Sequence, residues 1–306
     1  MLIKEVCRIE NISKRYGGTQ VIQNLSFSIA AGEIVGLVGP NGAGKTTLMR
    51  IIVGLTRQFE GDVLIQGKNI QTTSSATRHI GCVIEEPGFY PYMTGYRNLR
   101  FFADITGTVS EVVLHEVVSL MGLDKAINKK VKHYSMGMKQ RLGIALALLQ
   151  KPEFLVLDEP TNGLDPEGIY EIREYLHKLA KEWDISILIS SHLLDEIEKL
   201  CDRAEIIQKG QLLQTIHLQE EKMAGREILY TMETGEPDRL AVFLKDRKFV
   251  VLEVRIDRVV LKLDKERITG IIQEIGKHDI QLTAFYEVSQ TLEQQFLSLV
   301  EENHIE

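Results

Sequence analysis

Residues 33–47 read EIVGLVGPNGAGKTT, a segment with two distinct parts. Its first part, residues 33–39, is a short β-branched apolar run, typical of a strand buried on both faces of a parallel sheet. Its second part, from Gly39 to Thr47, satisfies the pattern G-x-x-x-x-G-K-[ST] in full. Glycines let such a loop fold its backbone N–H groups around phosphate oxygens, in front of the positive end of the next helix. The stretch therefore predicts a strand, a phosphate-binding loop and a helix in succession.

The loop residues have separate expected contacts. Lys45 can reach the β- and γ-phosphates of a nucleotide, and the Thr46 hydroxyl can ligate Mg²⁺. The backbone around them is expected to hold the phosphates of a nucleotide, through Gly39, Pro40, Asn41, Gly42, Ala43, Gly44 and Thr47. The alternative is a glycine-rich turn with a surface lysine. The strand before the loop and the helix after it favour the phosphate-binding interpretation.

Two further apolar runs end in polar residues, FLVLDEP at 154–160 and ISILISSH at 185–192. Because parallel strands present their carboxyl ends at one sheet edge, where ligands bind, these polar ends should meet the phosphate loop. Asp158 is expected to hold Mg²⁺, Glu159 to activate a water and His192 to contact a γ-phosphate. The alternatives are a solvated acidic loop and a structural histidine.

Composition narrows the class of protein. The 306 residues are 44% hydrophobic and 26% charged, and no stretch approaches the roughly 20 consecutive apolar residues of a membrane helix. Net charge is −7, of which −6 falls in residues 220–306, so nucleic-acid binding through a basic face is not expected. The cysteines at 7, 82 and 201 form no CxxC pair, which argues against a disulfide framework or a zinc site.

Two segments carry a family resemblance, HYSMGMKQR at 133–141 and NGLDP at 162–166. With the phosphate loop and LDEPTNGLD, they make roughly the first 215 positions resemble the nucleotide-binding subunit of ABC transporters. The resemblance implies an α/β, P-loop NTPase domain over residues 1–219. Its expected parts are a parallel-sheet core, an antiparallel β subdomain and a helical insertion at about 90–150.

The resemblance also implies a dimer and an ATPase activity. In that family two subunits pack head to tail, and the signature of one covers the ATP of the other. Ser135 and the Gly137 backbone would then form an anion site for the partner's γ-phosphate. Tyr16 would stack on adenine, and Asp165 would lie across the interface and help to place Glu159. Because the chain has one copy of each motif, we expect a homodimer or a heterodimer with a second ABC ATPase.

Two departures from the family pattern matter. The usual signature LSGGQ is replaced by residues 134–138, YSMGM, which keep the serine and the second glycine. The usual Mg²⁺-contacting glutamine is replaced by Glu85, which could bind the metal or turn outward as a surface residue. Glu85, the EPGFYP that follows and the 134–138 segment resemble the ATPases of exporters for bacitracin, lantibiotics and related antibiotics.

These resemblances predict the partners. Aromatic residues between 87 and 102 would face a separate polytopic membrane permease, which would hold a cytoplasmic subunit at the inner face of the membrane. The expected cargo is an antimicrobial peptide, an antibiotic or a similar amphiphile. The alternatives are a soluble ABC-type ATPase acting on ribosomes or nucleic acid, and a P-loop kinase, for which no acceptor site is evident.

Residues 220–306 have a different pattern. We read a strand in 227–232, a helix in 237–246, strands in 249–254 and 258–263, a helix in 267–278, a strand in 280–288 and a helix in 291–302. The order βαββαβ predicts a small α+β domain with no catalytic cluster, and the ferredoxin-like arrangement is the candidate for it. Regulation, dimer support and permease contact all remain open as its role.

Overall fold

The computed structural model describes residues 4–85, 87–107, 109–218, 228–263, 267–287, 292–293 and 296. The chain forms two units, residues 1–218 and residues 219–306. In the first unit the described strands are β1 (Glu5–Tyr16), β2 (Thr19–Ala30), β3 (Ile34–Val38), β4 (Glu60–Ile65), β5 (Lys68–Asn69), β6 (Ile80–Val83), β7 (Phe154–Leu157), β8 (Ser186–Ser191), β9 (Arg203–Gln208) and β10 (Gln211–His217). The described helices there are α1 (Lys45–Ile52), α2 (Gly95–Thr106), α3 (Glu111–Leu120), α4 (Met136–Leu148), α5 (Pro166–Trp183) and α6 (Leu194–Leu200).

The central sheet has the strand order β10-β9-β3-β8-β7-β6 among the described residues. Neighbouring strands are parallel except for β9 and β10. Every residue of β3, β7 and β8 is buried, as expected for parallel strands covered on both faces. The three apolar runs singled out in the sequence are thus adjacent strands, and their carboxyl ends meet at one edge.

An antiparallel sheet of order β2-β1-β4-β5 packs on this core. One hydrophobic cluster joins Ile9 of β1, Ile22 of β2, Leu48 of α1 and Phe154 of β7, all at most 1% exposed. Burying each such side chain contributes roughly 1.5–3 kcal/mol. The helix that follows the phosphate loop is therefore anchored to both sheets.

The segment between β6 and β7 contains the helices α2, α3 and α4. Each begins at a hydroxyl residue that caps it, Thr94, Ser110 and Ser135, which accept from the backbone N–H three residues later. A Cβ added to Gly143 in α4 would come 2.7 Å from Cγ of Pro87. The segment that follows β6 therefore packs directly on α4.

The second unit contains β11 (Ile228–Thr234), α7 (Pro237–Asp246), β12 (Val250–Val254), β13 (Arg258–Leu263), α8 (Ile268–Lys277) and β14 (Leu282–Glu287) in its described part. Its antiparallel sheet has the order β12-β13-β11-β14, the ferredoxin-like arrangement. The helix expected at 291–302 lies mostly outside the described residues. The fold class predicted from the sequence is confirmed. In the part of the chain that the structure describes, none of the helices has both the length and the apolarity of a membrane span.

Candidate nucleotide site

The phosphate loop connects β3 to α1, and glycine is required at both of its ends. Gly44 has φ +105, and a Cβ there would lie 2.9 Å from the carbonyl oxygen of Val21 on β2. A Cβ on Gly39 would lie 2.1 Å from the carbonyl oxygen of Ile207 on β9. A side chain at either position would therefore collide with backbone. Between the two, residues 40–42 are exposed, so the crest of the loop is open to a ligand.

Lys45 lies inside the loop. Its side chain is 6% exposed, and Nζ donates a hydrogen bond of 2.7 Å to the carbonyl oxygen of Gly39. Burial lowers the pKa of Lys45, and the charges of Glu159 and Asp158 partly oppose that shift. The ammonium group is thus in electrostatic range of both carboxylates that follow β7.

Asp158 is held on both of its carboxylate oxygens. The Thr46 hydroxyl donates to Oδ2 over 2.8 Å, and the Ser190 hydroxyl donates to Oδ1. The backbone N–H of Asp158 also donates to the carbonyl oxygen of Val83 at 2.9 Å. These bonds fix the carboxylate beside the first turn of α1, as the sequence predicts for an aspartate at this sheet edge.

Glu159 and His192 are brought together at the same edge. Nδ1 of His192 lies 2.6 Å from Oε2 of Glu159. Glu159 has φ +48, an uncommon conformation for a residue with a side chain, and its N–H donates to the Ser190 hydroxyl at 2.9 Å. Ser190 is completely buried and therefore braces both acidic residues. Sequence reasoning placed Ser190 at this edge but gave it no role.

The signature segment lies at the start of α4. Ser135 Oγ accepts a hydrogen bond of 3.2 Å from the N–H of Met138. Met136 lies on Gly163, because a Cβ added to Gly163 would come 2.7 Å from Met136 Sδ. A Cβ on Gly137 would lie 3.8 Å from Leu164. The methionine that departs from the family pattern thus packs on the loop that follows Glu159.

Three predicted site residues, Glu85, Asp165 and Tyr16, lie outside the hydrogen-bonded set around Asp158 and Glu159. Glu85 has φ +69, and its carboxylate forms an ion pair with Arg50 on the last turn of α1. Asp165 caps α5 by accepting a 2.9 Å bond from the N–H of Gly168. Tyr16 ends β1 with 47% of its surface exposed. The pairing of Glu85 with Arg50 is a contact that the sequence did not predict.

Comparison with known proteins identifies the family. The family model described as ABC transporter matches residues 22–162, and a model for an AAA domain matches residues 128–197. The uncharacterized ABC transporter ATP-binding protein YhcH of Bacillus subtilis is 40% identical over 98% of this chain and 97% of its own length. The chain belongs to the ABC transporter ATP-binding proteins.

Other ABC ATP-binding proteins are similar over much of the chain. The bacitracin transport ATP-binding protein BcrA of Enterococcus faecalis is 35% identical over 98% of each chain. The lantibiotic transport ATP-binding protein SrtF of Streptococcus pyogenes is 40% identical over 67% of this chain and 88% of its own length. The predicted resemblance to this group of ABC ATPases is therefore confirmed.

Solved ABC cassettes share the fold. The cbiO1 subunit of Clostridium perfringens, part of the cbiONQ ABC transporter complex, has a TM-score of 0.66 and 26% identity over 72% of this chain and 91% of its own. A dimeric ATP-binding cassette bound to ADP and Pi has a TM-score of 0.62 and 25% identity over 69% of this chain and 98% of its own. This ABC protein is an ATP-binding and ATP-hydrolysing transporter subunit, and the prediction of an ATPase is confirmed.

Proposed function

We propose that this subunit hydrolyses Mg-ATP between two cassettes and thereby powers a separate membrane permease that exports an antimicrobial peptide, an antibiotic or a similar amphiphile. One observation carries the hydrolytic part. One hydrogen-bonded set of side chains lies at the edge of the sheet where the phosphate loop is found. It consists of Thr46, Asp158, Ser190, Glu159 and His192. The cargo class is supported by the similarity to the bacitracin and lantibiotic transport ATP-binding proteins.

Magnesium fits the donors at this edge. The Thr46 hydroxyl and the Asp158 carboxylate are 2.8 Å apart, and Mg²⁺ prefers oxygen ligands of this kind. When bound, the ion neutralises charge on the phosphates. Glu85 is the third proposed ligand, and its carboxylate has to leave Arg50 first. Because exposed ion pairs contribute about 1 kcal/mol or less, this exchange costs little.

The remaining roles follow from the contacts of each side chain. Lys45 exchanges the Gly39 carbonyl for β- and γ-phosphate oxygens, whose charge offsets the effect of burial on its pKa. Glu159, fixed by Ser190, accepts a hydrogen bond from the attacking water and polarises it. His192 has its Nδ1 beside Glu159, so Nε2 can contact the γ-phosphate.

The second half of the site comes from a partner cassette. Ser135, the Gly137 backbone and the positive end of α4 cover the γ-phosphate that is bound in the partner. Asp165 follows on the loop that Met136 contacts, and we place it at the same interface. The dimeric form of a related cassette supports this arrangement.

The test is the mass of the Glu159→Gln protein by light scattering, with and without Mg-ATP. Loss of the carboxylate should stop turnover while ATP still binds, so the protein should shift from monomer to dimer. The wild-type protein is the control, since it hydrolyses ATP and releases the dimer. Wild-type turnover by the variant would exclude Glu159 as the catalytic residue. A monomer at saturating ATP would refute the homodimer.

An aromatic surface is proposed to receive the permease. Ring contacts join Phe89, Tyr90, Tyr92, Phe101 and Phe102, with Tyr90 and Phe101 at 5.2 Å between centroids. Tyr92 is 62% exposed and Phe101 is 37% exposed. Aromatic side chains such as these dominate the binding energy of protein interfaces. Docking here would hold the subunit at the inner face of the membrane.

The exporter proposal is tested in cells that make this protein. Glu159→Gln should raise their sensitivity to bacitracin or to a lantibiotic, and Tyr92→Ser should do the same without changing ATP hydrolysis by the purified subunit. Tyr170→Ser is the matched control, because Tyr170 lies on α5 and is 55% exposed. Unchanged sensitivity to every such compound would refute the assigned cargo class.

A further inference from the structure

A lysine covers one face of the Tyr16 ring. The Lys14 ammonium lies 4.6 Å from the ring centroid. The lysine itself is 7% exposed, and its Nζ donates a hydrogen bond to the carbonyl oxygen of Gln58. The cation is therefore held between a ring and a carbonyl group, with its stem buried. A cation over an aromatic face is attracted by the electron-rich π system.

The two faces of the ring are consequently different. Tyr16 is 47% exposed although Lys14 covers one side, so its accessible surface is on the opposite face and the edges. A planar heterocycle can stack on an open aromatic face, whereas a buried ammonium that a carbonyl anchors is not readily displaced. The ring thus offers one platform for a base.

This platform lies near the phosphate loop. Tyr16 pairs with Thr19 at the hairpin between β1 and β2. Two residues further along β2, Val21 approaches Gly44, where a Cβ would lie 2.9 Å from the Val21 carbonyl oxygen. The ring and the first turn of α1 are therefore connected by a short rigid strand.

The neighbouring cation is directed elsewhere. Arg15 follows Lys14 in the chain, and its Nε donates to the side-chain oxygen of Gln20. The two residues carry the same charge on adjacent positions of one strand, but among the described contacts only Lys14 lies over the Tyr16 ring. This difference provides a matched pair for an experiment.

We infer that Lys14 is a positioning residue for the nucleobase. Lys14 closes one face of Tyr16 and fixes the ring, so that adenine stacks on the other face. This inference rests on the proposed role of Tyr16 in the function described above. A ring that is already fixed loses less freedom when the base binds, so the contribution is to affinity.

The experiment compares Lys14→Met with Arg15→Met. Lys14→Met keeps an apolar stem and removes the cation, so KM for ATP should rise about fivefold with little change in kcat. Arg15→Met removes the same charge and should leave KM unchanged. Binding of inorganic triphosphate to the Glu159→Gln protein should be the same with and without Lys14→Met, because that probe has no base.

A Tyr16→Leu variant separates the possible failures. In a Tyr16→Leu background, Lys14→Met should have no further effect on KM, because it acts through the ring. An additive effect, or an equal rise with Arg15→Met, would overturn the inference in favour of general charge attraction. If Tyr16→Leu raises KM but Lys14→Met does not, this inference fails and the role of Tyr16 stands. If Tyr16→Leu has no effect on KM, the proposed adenine contact itself is wrong.

Discussion

Ser190→Ala should damage both the stability and the chemistry of the site. The Ser190 hydroxyl is completely buried, donates to the carboxylate of Asp158 and accepts from the N–H of Glu159 at 2.9 Å. A hydrogen bond to a charged group contributes roughly 1.5–3 kcal/mol, and a neutral one about 1 kcal/mol. The variant should therefore lose about 2–4 kcal/mol of unfolding free energy in urea, and kcat should fall at least about tenfold because Glu159 is no longer braced.

Ser191→Ala is the matched control. Ser191 is 1% exposed on the same strand, but its hydroxyl accepts from the N–H of Leu193 at 3.0 Å and contacts neither acidic residue. Its loss should cost about 1 kcal/mol of stability and leave kcat near the wild-type value. Equal losses of stability in the two variants, with kcat unchanged in both, would refute the bracing role of Ser190.

Two further substitutions test other parts of the structure. Ser135→Arg should leave ATP binding by the monomer intact. It should abolish the ATP-dependent dimer of the Glu159→Gln protein, because the arginine side chain would occupy the anion site. An unchanged dimer mass by light scattering would contradict this expectation. Gly143→Ala should lower the unfolding free energy by about 1–3 kcal/mol, because its Cβ would come 2.7 Å from Pro87. Gly137→Ala, with a nearest contact of 3.8 Å, should lose no stability in the same urea titration.

Much of the fold could be predicted because local chemistry dictates it. Three apolar runs have the pattern of strands buried on both faces: one precedes the phosphate loop, one precedes Asp158 and one precedes His192. In the structure these three strands are adjacent. The order of strands and helices in residues 228–287 followed from the alternation of short strand and helix patterns. The family resemblance supplied what these patterns could not, namely the expectation of a dimer and the class of transporter.

Most individual side-chain pairs between distant residues could not be predicted. Ser190 and Ser191 are identical in type and adjacent, and only the register of β8 decides which one reaches Asp158. The ion pair of Glu85 with Arg50 joins residues 35 positions apart, and neither local pattern indicates the other. Side-chain pairing across a fold depends on the packing of whole elements, which a single sequence reveals only where chemistry restricts the choice.

The contact between Met136 and Gly163 couples two separate motifs at the surface. Met136 is 49% exposed and lies above a glycine that has φ +73, and a glycine in its place would remove this contact. An engineer who transplants the common signature LSGGQ into this chain would therefore release the loop after Glu159 from the segment at the start of α4.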